Sequence, residues 1–160
     1  MRHGIARMKI YSLERTQLVR AGIGACWDFF SNPANLARIT PPALDLRVLS
    51  ELPPGIYEGQ LIRYRVKPLA GIPMTWVSEI TRVRERECFV DEQRRGPYAL
   101  WHHEHLFTER GEGLVEVRDQ VRYALPLGPL GRLMHALAVK QKINTIFNYR
   151  ERAVTEAFGS

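Results

Sequence analysis

Ala99-Leu100-Trp101-His102-His103-Glu104-His105-Leu106-Phe107-Thr108 alternates along its length, and that alternation decides how the chain folds. Side chains two apart along a strand share a face, so Trp101, His103, His105 and Phe107 point one way while Leu100, His102, Glu104 and Leu106 point the other. The stretch Leu114–Leu125 keeps the same period, with Val115, Val117, Val121, Tyr123 and Leu125 facing Glu116, Arg118, Gln120 and Arg122 across the strand. That is the pattern of a half-buried strand. Glu109-Arg110-Gly111-Glu112-Gly113 between them has the length and glycine content of a hairpin loop, so opposed residues have numbers summing to about 222 or 224. Asp119 interrupts the apolar face of the second strand and falls across from His103 or His105 in either register. A carboxylate in that position needs a partner.

Outward from this hairpin the chain divides into recognisable elements. Residues 8–19 read as a first strand, and Gly22–Phe30 as a short helix carrying Ile23, Cys26, Trp27 and Phe30 at helical spacing. A second short helix begins at Pro33, with Asn32 as its N-cap, and Pro41-Pro42 stops it. Strands follow at 44–50, 59–67, 73–84, 87–95, 98–109 and 114–125, punctuated by Pro53-Pro54-Gly55, Gly71-Ile72-Pro73 and Gly96-Pro97. Within 59–67, Ile62, Tyr64 and Val66 alternate with Arg63 and Arg65, which gives one wet face and one covered face. The covering element is a long helix over 130–157, whose Leu133, Leu137, Ile143, Ile146, Phe147, Val154 and Phe158 form the expected apolar stripe. No linker divides the chain, so a single domain is expected over 8–158 after a flexible start at 1–7.

Bulk properties exclude several classes. At 160 residues, with 45% hydrophobic and 25% charged residues, the composition is that of an ordinary globular domain. No apolar run reaches transmembrane length and the N-terminus lacks the apolar core of a secretion signal, so a cytoplasmic protein without integral membrane association is expected. Cys26 and Cys88 stand alone, without ligand spacing, and read as free buried thiols. The net charge of +6 comes from arginines scattered over polar strand faces, among them Arg63, Arg65, Arg82, Arg84, Arg118 and Arg122. No nucleic-acid or phosphate-cradling motif accompanies them, and nucleic acid is not an expected partner.

The order of strand, two short helices, six strands and a long C-terminal helix resembles the helix-grip fold of the START-related, polyketide-cyclase and birch-pollen-allergen superfamily (SRPBCC). More narrowly, the chain is similar to a bacterial ligand-binding subgroup. The residues that carry this are Asn35–Pro42, Gly71-Ile72-Pro73 with Trp76, the stretch from Gly96 through Trp101 to His105, and Asp119 with Tyr123 and Pro126. The resemblance implies an α+β fold: a seven-stranded curved antiparallel sheet wrapped around the C-terminal helix, enclosing a pocket for an apolar or amphipathic small molecule. It places Pro33–Pro42 at the mouth of the grip.

The residues themselves add an inner face that is aromatic and aliphatic with a few polar groups, the usual make-up of a small-molecule site. Trp101, Phe107, Tyr123, Tyr64 and Trp76 are candidate walls, with Tyr98 near the entrance and Arg94 or Arg95 as a carboxylate contact. His103, His105 and Asp119 admit three readings: a satisfied structural cluster, an acid/base or ligand-orienting group, or a two-histidine, one-carboxylate metal centre. The expected function is a carrier or sensor of a lipid-, aromatic- or polyketide-like molecule, working without a cofactor. The alternative is a cofactor-free cyclase, dehydratase or hydrolase using His103 and His105 with Asp119. The sequence leaves the oligomeric state open.

Overall fold

Alternating burial builds the sheet. In the computed structural model, which describes residues 8–69 and 71–159, the strands are β1 (Tyr11–Val19), β2 (Arg47–Val48), β3 (Leu61–Leu69), β4 (Ile72–Arg84), β5 (Cys88–Arg95), β6 (Leu100–Gly111) and β7 (Leu114–Ala124). The expected flexible start, 1–7, lies outside the described residues. All neighbours pair antiparallel in the order β1-β7-β6-β5-β4-β3-β2. His105 lies opposite Asp119 and His103 opposite Val121, the second of the two registers that the hairpin allows. Bulges between Val77 and Ser78 and between Ile80 and Arg82 break the pairing of β4 with β5. Such bulges bend a strand, and here they help β4 curve with the sheet.

Local chemistry sets the ends of the other elements. The first helix, α1 (Ile23–Phe30), buries Cys26, Trp27 and Phe30. The Asn32 side chain accepts from the Ala34 N–H at 3.0 Å and opens a 3₁₀ segment over Pro33–Ile39. A second 3₁₀ turn, Pro42–Leu44, ends on Asp45 in the left-handed conformation at φ 44°. This turn shortens the strand expected over 44–50 to the two residues of β2. Asp45 is held there by Arg47 and Lys67, each at 3.0 Å.

The C-terminal rod is continuous but not uniform: α2 (Gly128–Met134), a π-helical turn (His135–Val139) and α3 (Lys140–Phe158) follow one another. A Cβ on Gly131 would collide with the Pro126 carbonyl, so only glycine lets the rod start this close to the end of β7. The buried positions run Gly131, His135, Val139, Ile143 and Phe147, in steps of four through the π turn. Leu133 and Leu137, which the sequence places on the stripe, are instead 54% and 72% exposed. Six residues separate Leu137 from Ile143, roughly 600° of helix, which sets the two on different faces.

The core is divided into three. One cluster, under α1, joins Val19, Trp27, Phe30, Phe89, Phe107, Val115 and Val154; Trp27 meets Phe107 edge-on at 5.5 Å. A second joins Val121 and Tyr123 to Val139, Ile143 and Phe147. The third is Ile62, Tyr64 and Ile80 on the far strands. Among the described residues no helix is long and apolar enough to cross a membrane. The phase of the rod has a direct consequence for stability. Ile143→Ala is expected to cost about 2–5 kcal/mol, whereas Leu137→Gln should stay within about 0.5 kcal/mol of the parent, both read from urea unfolding midpoints.

Candidate functional site

The inner face of β6 presents Trp101, His103, His105 and Phe107 in sequence, as the alternation requires, and only the two imidazoles bring charge and hydrogen bonding to it. Asp119 on β7 receives both. Its Oδ1 lies 2.9 Å from His103 Nε2 and 3.1 Å from His105 Nδ1. Arg150 of α3 closes on the same oxygen at 3.1 Å. From the other side Asp91 of β5 places its Oδ2 2.9 Å from His105 Nε2 and 3.6 Å from His103 Nδ1. The imidazoles lie 3.8 Å apart between centroids, tilted by 33°, and His105 stacks on Phe89 at 4.0 Å.

This geometry separates the two histidines electrically. Burial works against charge on His105, but hydrogen bonds to Asp119 and Asp91 outweigh it and raise its pKa above the ordinary value. Burial and the charge of His105 lower His103 instead. Burial acts to raise both aspartates, yet the Arg150 guanidinium and the imidazoles hold Asp119 well below the usual carboxylate range, and the bond to His105 lowers Asp91. Burial and the neighbouring ring thus disfavour charge on His103, while the two carboxylates favour it on His105.

These groups border a cavity of about 200 Å³ between the sheet and α3. Ile62, Tyr64, Trp76 and Ile80 form one wall, Tyr98 and Trp101 another, and Ile143, Ile146 and Phe147 of α3 the third. Asp91, His103, His105 and Arg150 supply its polar floor. The aromatic rings meet mainly edge to face: Trp76 stands 5.4 Å from Trp101 at 88° and 5.6 Å from Tyr98 at 63°. Trp76 Nε1 donates to Ser78 Oγ at 3.0 Å, which fixes the indole. Gln93 fixes Tyr98, donating to its carbonyl at 2.7 Å and accepting from its N–H at 3.2 Å. The Gly96-Pro97 bend folds over that amide, leaving no room for a Cβ on Gly96.

Of the residues singled out from the sequence, Tyr64, Trp76, Tyr98, Trp101, His103 and His105 line the cavity. Asp119 stands behind the imidazoles. Phe107 packs into the core under α1. The hydroxyl of Tyr123 shares a 2.8 Å hydrogen bond with His135 Nε2, on the side of the sheet that meets the π turn. Arg94 turns outward, bound to Glu79 at 2.6 Å and Glu92 at 2.9 Å. Asp91 and Arg150 were missed. Each carries the signal that exposed Asp119, a charged residue at an apolar position: Asp91 two residues after Phe89 on its strand, Arg150 between Phe147 and Val154 on the stripe of α3.

No protein-family model and no curated protein matches the chain. Solved structures do. Norcoclaurine synthase from Thalictrum flavum, in complex with dopamine and hydroxybenzaldehyde, superposes with a TM-score of 0.66 at 13% identity, over 100% of this chain and 96% of that one. The chain has the helix-grip fold. Protein CV1439 from Chromobacterium violaceum shares this helix-grip architecture with a TM-score of 0.69 at 11% identity, over 92% and 96% of the two chains. Protein Ms6760 from Mycobacterium smegmatis gives 0.62 at 18%, over 91% and 92%. Within this helix-grip domain the buried ion cluster ties β5, β6 and β7 to α3. Removing one partner of a buried pair leaves the other uncompensated. Asp119→Ala is therefore expected to destabilise by roughly 3–5 kcal/mol, and adding Arg150→Met should restore part of the loss in a double-mutant cycle of urea unfolding.

Proposed function

We propose that this chain binds one small, largely apolar molecule, with one or two rings and a polar oxygen, in the cavity between the sheet and α3, and serves as its carrier or sensor in the cytoplasm. The observation that carries this reading is the cavity itself: aromatic and aliphatic walls closing on a floor of hydrogen-bonding groups. Size narrows the ligand. A cavity of about 150 Å³ holds benzene, so about 200 Å³ suits a substituted ring and excludes a sterol or a long acyl chain without expansion. A structure of the same fold holds dopamine and hydroxybenzaldehyde, both one-ring phenols. The bacterial ligand-binding subgroup that the sequence resembles supports the same reading, and the two free buried thiols, with Cys26 pushed up to about 12 by burial, fit a reducing compartment.

Polar contacts would set orientation. His103, held by Asp119 through Nε2, turns Nδ1 toward Asp91 and can accept from a ligand hydroxyl. The same neutral, carboxylate-held imidazole is the specific feature that favours a second reading, a cofactor-free cyclase, dehydratase or hydrolase in which His103 moves a proton.

Titration with phenol, 4-hydroxybenzaldehyde and 2-naphthol, followed by calorimetry and by fluorescence of Trp76 and Trp101, tests the carrier reading. One-to-one binding is expected, and Ile146→Trp, which fills the cavity from α3, should abolish it with the unfolding midpoint retained. Binding that survives the filled cavity would remove the reading. In a carrier, His103→Gln weakens affinity by at most the worth of one or two hydrogen bonds, about 1–3 kcal/mol; in an enzyme it leaves affinity and removes turnover.

A further inference from the structure

We propose that Asp91, His103 and His105 form a binding site for one divalent first-row transition-metal ion, with Asp119 as the outer carboxylate that aims both imidazoles and with open coordination positions facing the cavity.

The argument begins with which nitrogen each ring has committed. His103 Nε2 hydrogen-bonds Asp119 Oδ1 at 2.9 Å, and His105 Nδ1 stands 3.1 Å from the same oxygen and 3.3 Å from Arg150 Nη2, while His105 Nε2 hydrogen-bonds Asp91 Oδ2 at 2.9 Å. Asp119 and Arg150 therefore hold one nitrogen of each ring, and His103 Nδ1 and His105 Nε2 both turn toward Asp91. Metal-binding histidines are held this way, the far nitrogen on a carboxylate and the near one on the ion. Asp91 lies where the two remaining nitrogens converge, and one ligand atom from each of the three residues falls within 4.8 Å of the others.

The spacing fits an ion. Bonds of about 2.0–2.1 Å place neighbouring ligand atoms about 3.0–3.4 Å apart, and the separations from Asp91 Oδ2, 2.9 Å to His105 Nε2 and 3.6 Å to His103 Nδ1, bracket that range. The second separation is too long for a hydrogen bond. It sets an imidazole lone pair beside a carboxylate oxygen, two acceptors with a common need for a cation.

Charge and access agree with the spacing. The guanidinium of Arg150 is bound to Asp119 at 3.1 Å and stands 3.3 Å from His105 Nδ1, the ring nitrogen turned away from Asp91. An arriving ion takes the place of the hydrogen between His105 Nε2 and Asp91 Oδ2, which are 2.9 Å apart. All three ligands border the cavity, so water or a ligand oxygen can complete the coordination. Two imidazoles and one carboxylate suit Fe²⁺, Co²⁺ or Zn²⁺ rather than Mg²⁺ or Ca²⁺. The ligand set also differs from the one expected on sequence alone, since Asp91 takes the place of Asp119 at the ion.

Chelator-treated full-length protein titrated with Co²⁺ alone, followed by visible d–d absorption and by calorimetry with Zn²⁺, tests the site. One equivalent is expected, with micromolar or tighter affinity. Asp91→Asn and His105→Gln should abolish saturable binding, and Asp119→Asn should weaken it about 10–100-fold. His102→Gln should change nothing, because His102 lies on the outer face against Glu92 at 2.8 Å. In the unsubstituted protein, Co²⁺ should shift the ring proton resonances of His103 and His105 ahead of those of His102 and His135, a readout that needs no variant to fold. Absence of saturable uptake up to millimolar Co²⁺, or uptake that survives Asp91→Asn and follows His102, overturns the proposal. Because the metal is the only probe, such a failure leaves organic binding in the cavity standing, and that binding is measured separately on the chelated protein.

Discussion

The Oδ1 atom of Asp119 is the point on which the sheet, the helix and the cavity are assembled. It gathers His103 and His105 from the neighbouring strand and Arg150 from the rod, all within 3.1 Å. A buried carboxylate without partners is costly. Here the partners come from two elements, β6 and α3, so satisfying the charge also sets the register of β6 on β7, the rotation of both imidazoles and the rotation of α3. A sliding of α3 by one residue would swing the guanidinium about 100° off the line to Asp119. A one-residue slip of the hairpin would send Asp119 to the outer face.

Much of this was legible in the sequence because it is local. The period of two in β6 and β7 and the short loop between them bring His105 across from Asp119, and no other element is needed to see it. Asp91 belongs to the same surface, across from His103 in the unbroken ladder of β5 on β6, but the apolar residues of its strand, Cys88, Phe89 and Val90, are consecutive and mark no face by alternation. Its flank, Glu92-Gln93-Arg94-Arg95, also reads as a polar strand end. Arg150 was hidden for the opposite reason. A helical stripe tolerates gaps, so a charged residue among Ile143, Phe147 and Val154 passes for a break in the pattern rather than for a member of it. Leu133 and Leu137 show the same weakness in reverse: four-residue spacing made them resemble the stripe, but the inward line runs through Gly131, His135 and Val139. What fixes that line is tertiary, the close approach of Gly131 to Pro126 and the bond between Tyr123 and His135.

The aromatic walls follow a similar logic of mutual constraint. Trp76, Tyr98 and Trp101 come from three parts of the chain, and each is fixed by contacts outside the cavity or by its neighbours' edges: Trp76 by Ser78, Tyr98 by the Gln93 amide under the Gly96-Pro97 bend, Trp101 by Tyr98 at 4.8 Å. Edge-to-face rings keep their faces open rather than closing on one another. The side chains that border the cavity are thus held before anything enters it, and binding need not bear the entropy of ordering them.

The position of the ion cluster explains why the interior is not filled solid. Apolar side chains close any gap they can reach, and a core of leucine and valine in place of Asp91, His103, His105, Asp119 and Arg150 would be at least as stable by the usual balance of desolvation against Coulomb attraction. The ion cluster sits between apolar groups, with Phe147 and His103 in edge contact at 5.7 Å on one side and Phe89 stacked on His105 on the other. Hydrogen-bonded charges have preferred lengths and directions, which apolar contacts lack. They hold α3 at a set height above β5 and β6, and the space beside them stays open because collapse would require those bonds to shorten or break. A polar seam of this kind costs stability and keeps a volume vacant, and it lines that volume with hydrogen-bonding groups where apolar side chains would have closed it.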